Sequence, residues 1–128
     1  RGYEGALADA ARRNGMSVFP YQVLAAGFLT GKYRSEADLA GRARSGSVQG
    51  FLTSEGLGVL DALDQVAENH STDPASVALA WAMADGKIDA PLAAATSTAQ
   101  LDQLFAASKL TLTSEEVTLL DEASASIR

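Results

Sequence analysis

The sequence predicts an α/β fold of two parallel strands and about five helices, because helical and extended patterns alternate along the chain. Three observations carry this. Two short apolar runs, at 16–21 and 90–95, are each bounded by turn residues, Gly15 and Pro20 for one and Thr96-Ser97-Thr98 for the other, as interior strands are. Apolar residues recur at helical spacing before, between and after these runs. Strong helix starts at Asp73-Pro74 and Thr113-Ser114-Glu115-Glu116 punctuate the rest.

In chain order, residues 3–14 read as a helix with Leu7, Ala10 and Ala11 on one face. Arg12 and Arg13 fall in its last turn, where cations suit the negative end of the helix dipole, and Gly15 supplies a left-handed stop. The first strand follows, and after it Gly27, Gly31 and Lys32 form a glycine-bearing basic loop that can approach an anion closely. Residues 34–54 mix Gly41, Gly46, Gly50, Ser45, Ser47, Arg42 and Arg44 with little periodicity, which predicts a long, exposed, flexible loop. Loops beyond about fifteen residues often act as lids or binding loops.

Leu57, Leu60, Leu63 and Ala67 restore a helical period over 55–69. His70, the chain's single histidine, stands at that helix end in a polar context, which predicts a solvated side chain and no metal site. Asp73 is a candidate N-cap with Pro74 at the first helical position, where its missing N–H costs nothing. Val77, Ala78, Ala80, Trp81 and Ala84 then make an almost wholly apolar helix that must be buried, with Trp81 as a core anchor and Gly86 as the stop. After the second strand, Thr96-Ser97-Thr98 can cap a helix through Leu101, Leu104 and Phe105. Thr113 and Glu116 form a capping box for the last helix, which carries Val117, Leu119, Leu120 and Ala123.

Composition narrows the function classes. A chain of 128 residues, 47% hydrophobic and 20% charged, makes one domain at most and lacks a disorder signature. No apolar run approaches the ~20 residues that span a membrane. A net charge of −6 argues against a nucleic-acid surface, and the absence of cysteine excludes disulfides, thiol catalysis and cysteine metal sites. A cytoplasmic protein with neither nucleic-acid nor membrane partner is the expectation. The chain opens at Arg1-Gly2 with no methionine, directly before a helical pattern, so further sequence upstream is expected. Two parallel strands do not make a stable sheet, so the other strands are expected to come from that sequence or from another chain.

Three stretches carry a resemblance that covers almost the whole chain. They are Phe19-Pro20-Tyr21 with Leu24-Ala25-Ala26-Gly27-Phe28-Leu29-Thr30-Gly31-Lys32-Tyr33, Pro74-Ala75-Ser76-Val77-Ala78-Leu79-Ala80-Trp81, and Pro91 to Ala95 with Gln100-Leu101. In order and spacing they resemble the C-terminal part of an aldo-keto reductase, a (β/α)8 TIM barrel, at its seventh and eighth strands. The resemblance implies one partial domain over 1–128, an NADP(H) cofactor with NAD(H) as the alternative, and reduction of aldehydes or ketones to alcohols.

By resemblance, Tyr21 matches the aromatic residue on which the nicotinamide stacks, and Gln22, Val23 and Leu24 match the segment that meets the pyrophosphate. Gly27, Leu29, Thr30, Gly31 and Lys32 continue that wrap. Thr96, Ser97, Thr98, Gln100 and Leu104 match positions around the adenosine and its 2′-phosphate. The family usually has Ser-Pro where Gln22-Val23 stand, and its frequent Gly, Arg and Asn fall on Ala94, Thr96 and Leu104. Losing that arginine weakens the case for strict NADP preference. The family's catalytic Tyr, Lys, Asp and His match no stretch of this chain, so the missing N-terminal half of the barrel is the expected partner and the chain alone is expected to be inactive. The alternative is a non-catalytic, barrel-like subunit that binds or senses nicotinamide cofactor. Substrate identity beyond a small carbonyl compound, and oligomeric state, are not legible.

Overall fold

A computed structural model describes residues 2–84, 86 and 88–127. Its centre is the helix that the apolar stripe of 55–69 predicts. Six α-helices are found among the described residues: α1 (Ala6–Arg13), α2 (Ser45–Val48), α3 (Ser54–Asn69), α4 (Pro74–Met83), α5 (Thr98–Lys109) and α6 (Ser114–Ala123). Short 3-10 helices lie at Ala25–Thr30, Glu36–Leu39 and Gln49–Phe51.

Helix α3 packs against α4 and α6, and α4 packs in turn on α5 and on the 3-10 helix Ala25–Thr30. Leu60, Leu63 and Val66 of α3 are fully buried against Val77 and Ala78 of α4 and Leu120 of α6. Phe28, Tyr33, Leu39 and Val48 close this core from the segments before α3. Phe28 and Phe51 stack with ring centroids 5.5 Å apart, a favourable offset for two aromatic quadrupoles.

Local chemistry sets the helix ends. The Thr53 hydroxyl accepts from the Gly56 N–H, Asp73 from Ser76 and Ser97 from Gln100, so three helices begin on side-chain caps. The capping box at α6 is present in full, with Glu116 N–H donating to Thr113 Oγ1 at 3.2 Å and Thr113 N–H donating to the Glu116 carboxylate at 2.9 Å. Residues 75–80 of α4 are buried on every side, as its unbroken apolar sequence requires. Trp81 is only half-buried, and its indole N–H donates to Asp121 of α6 at 3.1 Å.

The two parallel strands of the α/β expectation are not formed: among the described residues the chain is helical, with no strand. Residues 16–20 and 90–95 are extended and run side by side, but their pairing is one-sided. Asp89 and Leu92 donate their N–H groups to the carbonyls of Val18 and Pro20, at 3.0 and 2.8 Å. Nothing returns, because Pro20 has no N–H and the Val18 N–H donates instead to the Asp89 carboxylate at 2.7 Å. A parallel ladder needs donors from both segments. The apolar runs are also exposed at Met16, Phe19, Tyr21 and Leu92, so burial did not enforce pairing.

Three further expectations are corrected. Leu7 is exposed, and α1 buries Ala8 and Ala11 instead. Residues 34–54 contain α2 and two 3-10 helices and bury Leu39 and Val48. His70 is not a solvated side chain: its Nε2–H donates to both carboxylate oxygens of Glu116 at 2.9 Å, tying the end of α3 to the start of α6.

Two outcomes follow from this packing. Leu63→Ala empties a fully buried site on the central helix and is expected to lower the unfolding free energy by about 2–5 kcal/mol in a urea titration. The second concerns pH. The His70 contact, followed by the Thr113 N–H, holds the Glu116 carboxyl below the usual carboxylate range. With its folded pKa below its unfolded one, Glu116 contributes fully above the unfolded value of about 4.3 and loses that contribution as pH falls through the depressed folded value. Thermal midpoints measured downward from neutral pH should therefore fall less steeply in Glu116→Gln than in the parent chain. Parallel curves would mean the clasp carries no acid sensitivity.

Candidate functional site

The loop after residue 20 is shaped by unusual backbone. Gln22, Ala25 and Ala26 adopt left-handed φ values of 59°, 48° and 57°, beside Gly27 at 98° and Gly31 at 77°. Left-handed backbone brings Cβ close to the following carbonyl, so each non-glycine residue there is strained. The strain is held by hydrogen bonds within the loop. Ala25 N–H donates to the Gln22 carbonyl at 2.8 Å, Gly27 N–H to Leu24 at 2.9 Å, and the Thr30 hydroxyl to Gly27 at 2.7 Å.

The predicted residues of this loop fall on one short stretch with distinct settings. Tyr21 is 74% exposed and offers a free ring face. Val23, Leu24 and Leu29 are half-buried, the two leucines against the core. Lys32 is exposed and folds back, its Nζ 5.0 Å from the centroid of the buried Tyr33 ring. A Cβ on Gly27 would lie 3.6 Å from that Nζ, so the lysine stem covers the glycine. Among the described residues, the N–H groups of Gln22, Val23 and Leu24 donate to no protein acceptor.

The second group stands at the start of α5. Thr96, Ser97, Thr98 and Gln100 are exposed and Leu104 is half-buried. The Gln100 side-chain carbonyl accepts from both the N–H and the hydroxyl of Thr96, at 2.8 and 3.0 Å. Its oxygen is thus spent on ordering the loop, which the sequence did not signal. No hydrogen bond among the described residues joins this group directly to the 21–32 loop. The two are related through their stems, residues 18–20 and 89–92, which the one-sided backbone pairing and the Asp89 carboxylate hold together.

No group of His, Cys, Asp or Glu that could hold a metal ion occurs among the described residues. No helix there is long and apolar enough to cross a membrane.

The model of the aldo/keto reductase family matches residues 3–125. The chain belongs to the aldo/keto reductase family. It is 30% identical over 115 residues to the aldo-keto reductase str7 of Strobilurus tenacellus, covering 88% of this chain and 34% of that relative. It is 29% identical over 123 residues to an L-glyceraldehyde 3-phosphate reductase of Escherichia coli, covering 91% of this chain and 36% of the other. To the aldo-keto reductase yakc [NADP(+)] of Schizosaccharomyces pombe it is 28% identical over 119 residues, with 89% and 34% covered. The chain therefore spans about a third of the length of the curated relatives it matches.

Groups of the aldo/keto reductase chain that could hold a nicotinamide dinucleotide are an exposed aromatic face at Tyr21, an ammonium at Lys32 and, between them in sequence, three backbone N–H groups with no acceptor among the described residues. Ser97 and Thr98 add hydroxyls at a helix start, where anions are favoured. Two residues that shape the site were not singled out from sequence. Asp89 is one; a lone acid before an apolar run gives no signal. Arg34 is the other, and its partners lie on α3.

Strain at the loop is directly measurable. Ala26→Gly removes a left-handed alanine at the cost of one methyl that packs against the core, and is expected to raise stability by less than about 1 kcal/mol, because that methyl and glycine's greater unfolded-state entropy offset the relief of strain. A clear loss of stability in a denaturant titration would mean that Ala26 is not strained.

Proposed function

We propose that this chain provides the cofactor cradle of an NADP(H)-dependent aldo-keto reductase that reduces aldehydes or ketones to alcohols, with NAD(H) as the alternative cofactor. The observation that carries the reading is the pairing of residues 18–20 with 89–92, which holds together the stems of the two segments bearing the family-like cofactor residues. The family match and the exposed Tyr21 ring support it further.

The bound cofactor would supply hydride. The chain's own residues would hold and orient it. Tyr21 would stack on the nicotinamide, a contact whose strength comes from buried area and the ring quadrupole. Gln22, Val23 and Leu24 would direct N–H groups at the pyrophosphate, Gly27, Leu29, Thr30 and Gly31 would continue the wrap, and Lys32 would add positive charge. Thr96, Ser97, Thr98, Gln100 and Leu104 would border the adenosine. A general acid for the carbonyl is assigned to no residue here, so in this reading proton delivery comes from a part of the enzyme beyond these 128 residues.

Fluorescence titration, with NADPH, of the longest protein carrying these residues tests the reading. Lys32→Ala should weaken binding by about 0.5–1.5 kcal/mol and lower the thermal midpoint only slightly, by the loss of the ammonium's contact with the Tyr33 ring. Gln100→Ala should weaken it as well, here partly by releasing Thr96. Unchanged affinity in both variants would sink the site assignment. Addition of a simple aldehyde to the longest protein carrying these residues separates an enzyme from a cofactor sensor, which would bind NADPH without oxidising it.

A further inference from the structure

Arg34 lies just beyond the proposed cofactor loop, and its guanidinium is committed on three sides. Nε donates to the carbonyl of Gly31 at 3.0 Å. Nη2 donates to both carboxylate oxygens of Asp64, at 2.8 and 2.6 Å, and Nη1 lies 3.6 Å from Asp61. Asp61 and Asp64 belong to α3, so one planar group ties the loop's exit to a helix at the centre of the core.

The contact is tight at Gly31, which ends the 3-10 helix Ala25–Thr30 in a left-handed conformation. A Cβ there would lie 3.1 Å from Nη2 on one side and 3.5 Å from Pro74 Cγ on the other. The exit of the loop is therefore wedged between Arg34 and the start of α4. Stability does not explain this arrangement. Arg34 and Asp64 side chains are 37% and 46% exposed and Asp61 is 80% exposed, and ion pairs so open to water add little to folding. What the planar fork supplies is direction. The loop needs it, because Gln22, Ala25 and Ala26 sit in strained backbone that would relax if the exit were loose.

We infer that Arg34, held by Asp64, is a positioning residue that fixes Gly31, and with it Lys32, in the geometry that receives the cofactor's phosphates. This rests on the cofactor reading given above. It differs from a direct electrostatic role in the sign of one experiment. If charge alone mattered, Asp64→Asn would remove a carboxylate near the phosphates and tighten NADPH binding, and Arg34→Lys would leave it unchanged. If position matters, Asp64→Asn frees the guanidinium, and the lysine ammonium cannot serve Gly31 and Asp64 together.

The test measures NADPH affinity by fluorescence titration, the thermal midpoint, and amide hydrogen exchange at Gly27, Leu29 and Gly31 in the longest protein carrying these residues, as parent, Arg34→Lys and Asp64→Asn. Expected are about 3- to 10-fold weaker NADPH binding in both variants, faster exchange at those amides and little change in the midpoint. Affinity that is unchanged or tighter in Asp64→Asn, or Arg34→Lys indistinguishable from the parent, overturns the inference. Failure of the longest protein carrying these residues, with no substitution, to bind NADPH would overturn the cofactor reading instead. Exchange at Gly31 that neither variant alters would overturn the clamp whatever the affinities.

Discussion

The constraint on which the rest of the structure depends is the burial of α3. Leu60, Leu63 and Val66 have no solvent exposure, and the helix can bury them only because its first turn admits a very close neighbour. A Cβ at Gly56 would run into the Phe51 carbonyl and lie 3.3 Å from the Phe28 ring. Glycine at this position therefore lets the 3-10 helix Ala25–Thr30 and the segment 49–51 settle onto α3. Two further regions are tied to the same helix by side-chain contacts. His70 at its end holds Glu116 of α6, and Asp61 and Asp64 on its exposed side hold Arg34. The exit of the candidate cofactor loop is joined to α3 through Arg34.

Features written in a few neighbouring residues were legible in the sequence. The caps at Asp73, Ser97 and Thr113 are each settled by a hydroxyl or carboxylate three residues from the N–H it accepts. The stripe Leu60, Leu63, Ala67 needs nothing but helical periodicity. The strands were not legible for the opposite reason. Their apolar runs satisfy the pattern of a buried strand, yet pairing requires donors from both partners, and Pro20 and the Asp89 carboxylate remove them from one side. Residues 34–54 look irregular because their helical turns are too short to show a period, while Leu39 and Val48 are buried singly.

The site divides in the same way. Gly27, Gly31 and Lys32 announce a tight basic loop, since glycine marks left-handed backbone. Ala25 and Ala26 adopt the same backbone with no such marker, because alanine ordinarily avoids it. His70 and Glu116 are 46 positions apart and Arg34 and Asp64 are 30 apart, so neither pair follows from spacing. The family resemblance pointed to candidate cofactor residues and gave no sign of the contacts that hold their loop.

That separation bears on how such a site can work. Tyr21 is almost entirely outside the packed core, whereas Phe28, seven residues on, is at its centre. The chain between them turns outward through left-handed Gln22 and returns through left-handed Ala25, Ala26 and Gly27. Strained backbone is tolerated where its surroundings over-determine it. Here Phe28 anchors the middle against Phe51, and Arg34 and Pro74 confine the exit. An aromatic face can then stand in solvent without the loop collapsing onto it. A ligand that stacks there meets a surface already arranged, so ordering the loop need not be charged against binding.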